Sequence, residues 1–417
     1  MDPKENTAVA EIPSYFICPI SMQIMRDPIT VCTSITYDRE SMEKWIYSCG
    51  KNTCPATMQV MPNYNMTPNY TLRRLIQGWC LANSSKGVQP IPTPKPPIDS
   101  NQVNKLLQDF ESCSPFQLIN GLKKLRSLAD ESEANRRCIA VCGGDSALIS
   151  VIEMNTVEME SGCYQCPMAC DEALGILYKL PMADETAETL SRSKTLKPIS
   201  WILKKGSCNG RFYSAMLLKT VSSSGQKILQ QLVVNADDDL IEGLLQLLTE
   251  EVCLQATTSS LEILMAICSP SRKNRIKAIE AGAIYILIEL LPESQRMNCE
   301  KMLCLLDILC ECAEGRATTI DHAMGIASIS KKIFRVSQVA TEKAIRILWS
   351  LCKFSPTPRL LNEMVQIGAV YKLCVLLQLE CTSKTKQKAR EMLRAHGKYW
   401  TISPCVPSYS LGIYGQY

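Results

Sequence analysis

Histidine is almost missing from this chain. It has two in 417 residues, His322 and His396, and none among the first hundred. The cysteines of that stretch, Cys18, Cys32, Cys49, Cys54 and Cys80, never pair as C-x-x-C. Four tetrahedral zinc ligands at usable spacing cannot be assembled there, so no metal and no cofactor is expected. A strong excess of one charge is also lacking: the formal net charge is +4, too small to argue for nucleic acid. No apolar run is long enough to span a bilayer, and Met1 to Ala10 is polar, unlike a secretory signal. The 22 cysteines are too sparse for a disulfide scaffold. Without a secretory signal they are expected to be reduced thiols, in a cytoplasmic and possibly also nuclear protein.

Few residues suggest chemistry of their own. Cys299, Cys304, Cys310, Cys312, Cys352 and Cys374 fall in helical patterns and read as small buried hydrophobes. Cys163, Cys166 and Cys170 form C-x-x-C-x-x-x-C, three soft ligands without an obvious fourth, and read as incidental thiols at the start of a helix, with a metal site as the lesser alternative. His322 and His396 lack a partner pattern for catalysis and read as surface or capping residues. No paired carboxylate sits in an apolar setting, so acid–base catalysis is not expected.

What is present is organised in five stretches. Residues 1–11 read as a flexible N-terminus and 12–86 as a small α+β domain. Residues 87–100, with Pro90, Pro92, Pro94, Pro96 and Pro97, read as a semi-rigid polyproline linker. Residues 101–400 read as helical repeats and 401–417 as a flexible tail. In the first domain, Pro28–Val31 and Ile35–Tyr37 are predicted strands. Asp38 is predicted to cap a following helix through its carboxylate; that helix carries Met42, Trp45 and Ile46 on one face and stops near Gly50. Asn69 is predicted to cap a second helix, buried along Leu72, Leu75, Ile76, Trp79 and Cys80.

The repeats show as leucine-rich helices centred near Ser150, Trp201, Leu245, Ile288, Ile333 and Cys374, spaced 41 to 51 residues apart. Armadillo and HEAT units recur every ~40–47 residues. Asn135-Arg136 before Gly143-Gly144 is echoed by Asn274-Arg275 before Gly282, and in part by Ile367-Gly368-Ala369. Each glycine is predicted to permit a tight inter-helix turn in which a side chain would clash. About six repeats are expected.

Two turn-like loops, Cys18-Pro19-Ile20-Ser21 and Cys54-Pro55-Ala56-Thr57, flank a hairpin and a short helix, the layout of a RING-type zinc domain without its ligands. Together with Ile12-Pro13, Phe16, Met25-Arg26-Asp27-Pro28, Thr36-Tyr37-Asp38-Arg39, Trp45 and Pro68-Asn69 before Leu72-Arg73-Arg74-Leu75-Ile76, they resemble a plant U-box. With the linker and repeats, the chain resembles plant U-box/armadillo-repeat ubiquitin ligases of the defence and stress branch. The fold class implied is mainly α: a small α+β U-box followed by an armadillo-like α-solenoid.

The resemblance implies a ligase with no covalent nucleophile. The U-box would dock a ubiquitin-charged conjugating enzyme, and the repeats would present a concave surface to a protein substrate. Ile20, Trp45 and Pro55 occupy the family's docking positions. Arg26, Asp27, Tyr37, Asp38, Arg39 and Asn69 have the polar types to tie the loops without metal. Three positions depart from the family. Ser34 stands where glycine is usual, Ala56 where valine is, and Met58 where a lysine or arginine commonly helps hold the charged ubiquitin. A non-enzymatic scaffold with a weakened U-box is the competing reading. A nuclear-import receptor is disfavoured, because Trp201 and Trp349 are followed four residues on by Lys205 and Lys353 and not by asparagine. The exposed basic run Arg272, Lys273, Arg275 and Lys277 reads as a solvated helix face, with an acidic partner as the alternative. A dimer is possible; neither nucleic acid nor a membrane span is expected.

Overall fold

The computed structural model describes residues 12–86, 88–91, 98–111, 114–157, 167–250 and 253–400. The expected N-terminal and C-terminal tails, half of the proline-rich linker, and Cys163 and Cys166 lie outside the described residues. By its contacts the chain divides into two units, residues 1–105 with 127–142, and residues 106–126 with 143–417.

The first unit is built on a three-stranded antiparallel sheet. Strands β1 (Pro28–Thr30), β2 (Thr36–Asp38) and β3 (Thr67–Pro68) run in the order β2-β1-β3. Ile29 stands opposite Tyr37 on one side and Pro68 on the other. The third strand is too short to show an alternating pattern. The turn between β1 and β2 places Ser34 at φ +62°, the left-handed region where glycine is favoured. Helix α1 (Arg39–Glu43) widens into a π turn over Lys44–Ser48, and α2 (Tyr70–Ala82) closes the domain. The core gathers Phe16, Cys18, Met25, Ile29, Tyr37, Met42, Ile46, Cys54, Ile76 and Cys80. Leu75, expected in the buried stripe of α2, is 55% exposed. Its neighbours Leu72, Ile76, Trp79 and Cys80 already fill the face turned to the sheet.

Two helices, α3 (Ser100–Gln108) and α4 (Pro115–Glu131), lead into six triads. These are α5 (Glu133–Val141), α6 (Gly144–Val157), α7 (Pro167–Leu177); α8 (Asp184–Ser191), α9 (Ser193–Lys205), α10 (Cys208–Ser223); and α11 (Gln226–Asn235), α12 (Asp238–Thr249), α13 (Leu254–Cys268). The other three are α14 (Arg272–Glu280), α15 (Ala283–Leu290), α16 (Arg296–Leu309); α17 (Ala313–Asp321), α18 (Gly325–Lys331), α19 (Gln338–Phe354); and α20 (Pro358–Gln366), α21 (Ala369–Gln378), α22 (Ser383–Trp400). The leucine-rich centres seen in the sequence are the middle helices. Within the second unit the third helices stack in series from α7 to α22, and the middle helices run as a parallel ladder from α6 to α18.

The Asn-Arg pair has a mechanical reason. A helix end leaves carbonyls without intrahelical partners, and these side chains reach back to them. Asn274 Nδ2 donates to Ile267 O (3.1 Å) and Arg275 to Cys268 O (3.1 Å) at the end of α13. Asn135 and Arg136 do the same for Leu128 O and Ala129 O at the end of α4 (both 2.9 Å). At the corners, Gly282 and Gly368 adopt φ +84° and +72°, but an added Cβ would meet nothing within 4 Å at either. The expectation of a clash is therefore corrected: the backbone angle alone calls for glycine.

The fold draws α5 into the first unit, whereas the sequence places it with the repeats. Ile98 N donates to Asn135 Oδ1 (3.1 Å), and the Arg137 guanidinium lies 3.1 Å from the centre of the Tyr47 ring.

Candidate functional site

The two loops of the first domain are near-copies. Cys18-Pro19-Ile20-Ser21-Met22-Gln23 and Cys54-Pro55-Ala56-Thr57-Met58-Gln59 differ only by Ile/Ala and Ser/Thr. Their backbones match. Met22 N bonds Cys18 O (2.9 Å) as Met58 N bonds Cys54 O (2.8 Å), and Cys18 N bonds Gln23 O as Cys54 N bonds Gln59 O (both 2.8 Å). Each loop is closed by one bridge, Ile17 to Ile24 and Thr53 to Val60. Met22 and Met58 both take left-handed φ (56° and 58°). Both stand clear of the surface, 74% and 65% exposed.

The cysteines that open the loops are buried and serve as hydrogen-bond acceptors. Asp38 N donates to Cys18 Sγ (3.2 Å). Thr33 Oγ1 (3.1 Å) and the Tyr37 hydroxyl (3.0 Å) lie on Cys54 Sγ, while Ala56 N donates to that hydroxyl (3.1 Å). The chain Ala56 N–H, Tyr37 O–H, Cys54 Sγ pins the second loop to β2. Burial alone would raise the Cys54 thiol, but hydrogen bonds from Thr33, Thr57 and Tyr37 outweigh it and bring it down to about 6. Burial and the sulfur together push the Tyr37 phenol well above its ordinary value, so it stays a donor. Among the described residues no three His, Cys, Asp or Glu side chains are grouped to hold a metal ion.

A second network ties the first loop to both helices. The Asp27 carboxylate accepts from Arg39 Nε (2.6 Å) and from Arg73, while its own carbonyl accepts from Arg39 N (3.0 Å). Asp38 occupies the cap position of α1, yet its side chain makes no capping bond. Instead it accepts the amides of Arg26 (2.7 Å) and Asp27 (2.9 Å), which corrects the expected cap. Burial raises the Asp38 carboxyl, and these two amide bonds pull it back. Arg26 enters this network through its backbone. Asn69 Oδ1 accepts from Leu72 N (3.0 Å) and caps α2. Arg73, Thr33 and the two cysteine sulfurs were not predicted for the network; the repeat of Cys-Pro-x-Ser/Thr-Met-Gln was the available signal for the sulfurs.

Residues 102–415 match the family described as the plant U-box protein ARM repeat region, and residues 12–85 match the U-box domain. The chain is 40% identical to the Arabidopsis thaliana E3 ubiquitin-protein ligase PUB22, over 95% of this chain and 97% of that protein. It is 41% identical to E3 ubiquitin-protein ligase PUB23 of the same plant, over 95% of each. The chain belongs to the plant U-box family of ubiquitin-protein ligases.

In this U-box, Ile20 and Trp45 are half-buried against the core, and Pro55 is half-buried at the start of the second loop. Trp45 has a further duty: its indole Nε1 donates to Thr53 O (2.7 Å), holding the segment that enters that loop. Cys54 is fully buried, which keeps its sulfur out of reach of a carrier protein. In the repeats, the basic run at α14 is engaged within the molecule. Arg272 pairs with Glu314 (3.3 Å), Arg275 with Glu311 (3.6 Å) and Lys277 with Asp238 (2.8 Å). His322 is less exposed than expected: its Nδ1 accepts from Met324 N (3.1 Å) at the end of α17, and the ring packs on Tyr285.

Proposed function

We propose that the U-box docks a ubiquitin-charged conjugating enzyme on Ile20, Trp45 and Pro55, and that the armadillo-like repeats recruit the substrate. A role in plant defence or stress signalling and a cytoplasmic location, with the nucleus as a second site, complete the reading. The observation that carries it is the pair of matched loops. Hydrogen bonds to Cys18 and Cys54 fix them, the Asp27 ion pairs fix the segment that follows the first loop, and half-buried apolar side chains lie against the core beside them. A fixed apolar surface with exposed methionines at its rim suits a protein partner. Holding the donor thioester in a restricted pose accelerates attack by a substrate lysine without any residue of this chain entering the chemistry.

The test is self-ubiquitination by the full chain with activating enzyme, conjugating enzyme and ubiquitin. Ile20→Ala and Pro55→Ala are expected to lower the rate at least about tenfold, the loss of a central contact of ~1.4 kcal/mol or more, at a temperature where the melting curve shows each variant folded. Activity that survives both substitutions would remove the proposed docking surface. No activity in the parent with any conjugating enzyme would favour a scaffold with a weakened U-box, a reading motivated by the uncharged Met58.

A further inference from the structure

The modest net charge conceals a strong separation. Residues 325–400 hold fourteen Lys and Arg against four Asp and Glu, a net of +10, so the rest of the chain carries −6 towards the total of +4. The final helix α22 is the extreme: Lys384, Lys386, Lys388, Arg390, Arg394 and Lys398 against Glu391 alone. Its first turn contains no acidic residue. Lys384 and Lys386 sit in the first turn of the helix, where the backbone dipole favours negative charge, an arrangement that costs folding energy. A terminal repeat must be polar to stay soluble, but solubility does not require one sign. Among the described residues, Lys384, Lys386, Arg390 and Arg394 form no ion pair.

Beside α22, on α19, Trp349 sits among these cations. Lys388 Nζ lies 3.6 Å and Lys353 Nζ 4.5 Å from its ring centre, and its indole N–H donates to Glu391 (2.7 Å). The local carboxylates are already engaged: Asp307 takes Lys343 and Arg346 (both 3.0 Å), and Glu311 takes Arg346 (3.1 Å). Lys353 and Lys388 thus both lie against the Trp349 ring, and the one carboxylate beside them, Glu391, is shared between both cations and the indole N–H. Burial and the neighbouring Arg346 lower the Lys388 ammonium, the sign of a cation that gains from an arriving anion.

We propose that α19 and α22 form a receptor for an acidic segment of a partner protein, centred on Trp349, with Lys353 and Lys388 as inner cations and Lys384 and Arg394 at the rim. It rests on the reading that the repeats recruit proteins. Fixed carboxylates interleaved with the cations, Asp307 and Glu391, suit discrete side chains of a peptide. They would repel the unbroken negative charge of a bilayer or of an RNA backbone.

The probe is a fluorescein-labelled ten-residue peptide with five glutamates, titrated into the full chain by fluorescence polarisation, with its glutamine counterpart as reference. The acidic peptide is expected to bind and the reference not, with affinity falling as salt rises. Lys353→Glu with Lys388→Glu is expected to weaken binding about tenfold or more. The milder pair Lys353→Gln with Lys388→Gln should fall between, and circular dichroism reports whether each variant is folded. Lys205→Glu with Lys273→Glu, of equal charge change at exposed sites elsewhere, should bind as the parent. Equal binding of the two peptides, or parental affinity in Lys353→Glu with Lys388→Glu, overturns the proposal. So does binding of phosphatidylserine vesicles or of RNA that this variant abolishes while the peptide stays unbound. Capture of folded partner proteins by the full chain reads the recruiting role separately. Partners held equally by the parent and the reversed variant overturn the receptor but leave recruitment standing; a parent that holds none fails recruitment itself.

Discussion

Asp27→Asn is the most informative single perturbation of the U-box. The carboxylate receives Arg39 on α1 and Arg73 on α2, with side-chain exposures of 27% and 13% against 18% for Asp27. It joins the segment between the first loop and β1 to both helices. Asparagine keeps the shape but withdraws the charge and leaves two guanidiniums facing a neutral amide. Charge-assisted hydrogen bonds contribute ~1.5–3 kcal/mol each, and stranding a buried partner costs ~3–5 kcal/mol. Partial solvent access at Arg39 lowers the sum, so a loss of ~2–4 kcal/mol is expected. A domain of this size shifts by about 4–8 °C per kcal/mol, which places the melting change on the order of 8–32 °C. Differential scanning calorimetry of the full chain would follow the U-box transition apart from that of the repeats. Ligase activity should fall at temperatures where the variant domain has melted and persist below them. A transition within 2 °C of the parent, a bound chosen as about half the shift of one kcal/mol, would refute the claim that these ion pairs hold the domain together.

Three further expectations concern the same domain. Because the Cys54 thiol is lowered to about 6 from an ordinary 9.0, the unfolded chain binds more protons between those values. U-box stability should therefore rise from pH 6 to pH 9, and fall as pH drops through 6; Cys54→Ser should flatten that slope in pH-dependent melts, and an unaltered slope would count against the thiolate. Ser34→Gly relieves a φ of +62° at an exposed turn and should stabilise by ~1 kcal/mol, read from denaturant unfolding; a loss would mean Ser34 contributes more than its backbone angle. Met58→Arg restores a donor at the exposed tip of the second loop. It is expected to speed discharge of the conjugating enzyme about tenfold, the worth of one charge-assisted bond; an unchanged rate would show that this position does not touch the carried ubiquitin.

Much of this architecture was legible because it rests on local rules. Asn69 announced a cap and is one. The leucine clusters marked each middle helix, since a buried stripe must recur with the repeat. The Asn-Arg pairs were visible as a pattern, but their task was not: the carbonyls they satisfy lie seven residues back in the preceding helix and become neighbours only after the chain turns. Asp38 looked like a cap for the same reason that Asn69 did. Its carboxylate was claimed instead by the amides of Arg26 and Asp27, on the segment that enters the strand paired with its own. Leu75 fitted the helical period, yet the sheet is three short strands wide and has no room for it. Arg73 and Thr33 could not be assigned from spacing, because their partners Asp27 and Cys54 are distant in sequence.

The central claim is most directly tested by titrating the full chain, purified in the presence of a strong chelator, with a conjugating enzyme bearing ubiquitin on a stable linkage at its active-site cysteine. The account predicts saturable binding that does not change when zinc is added and that is lost on Ile20→Ala. Binding that requires zinc, or that is the same with and without Ile20, would contradict it.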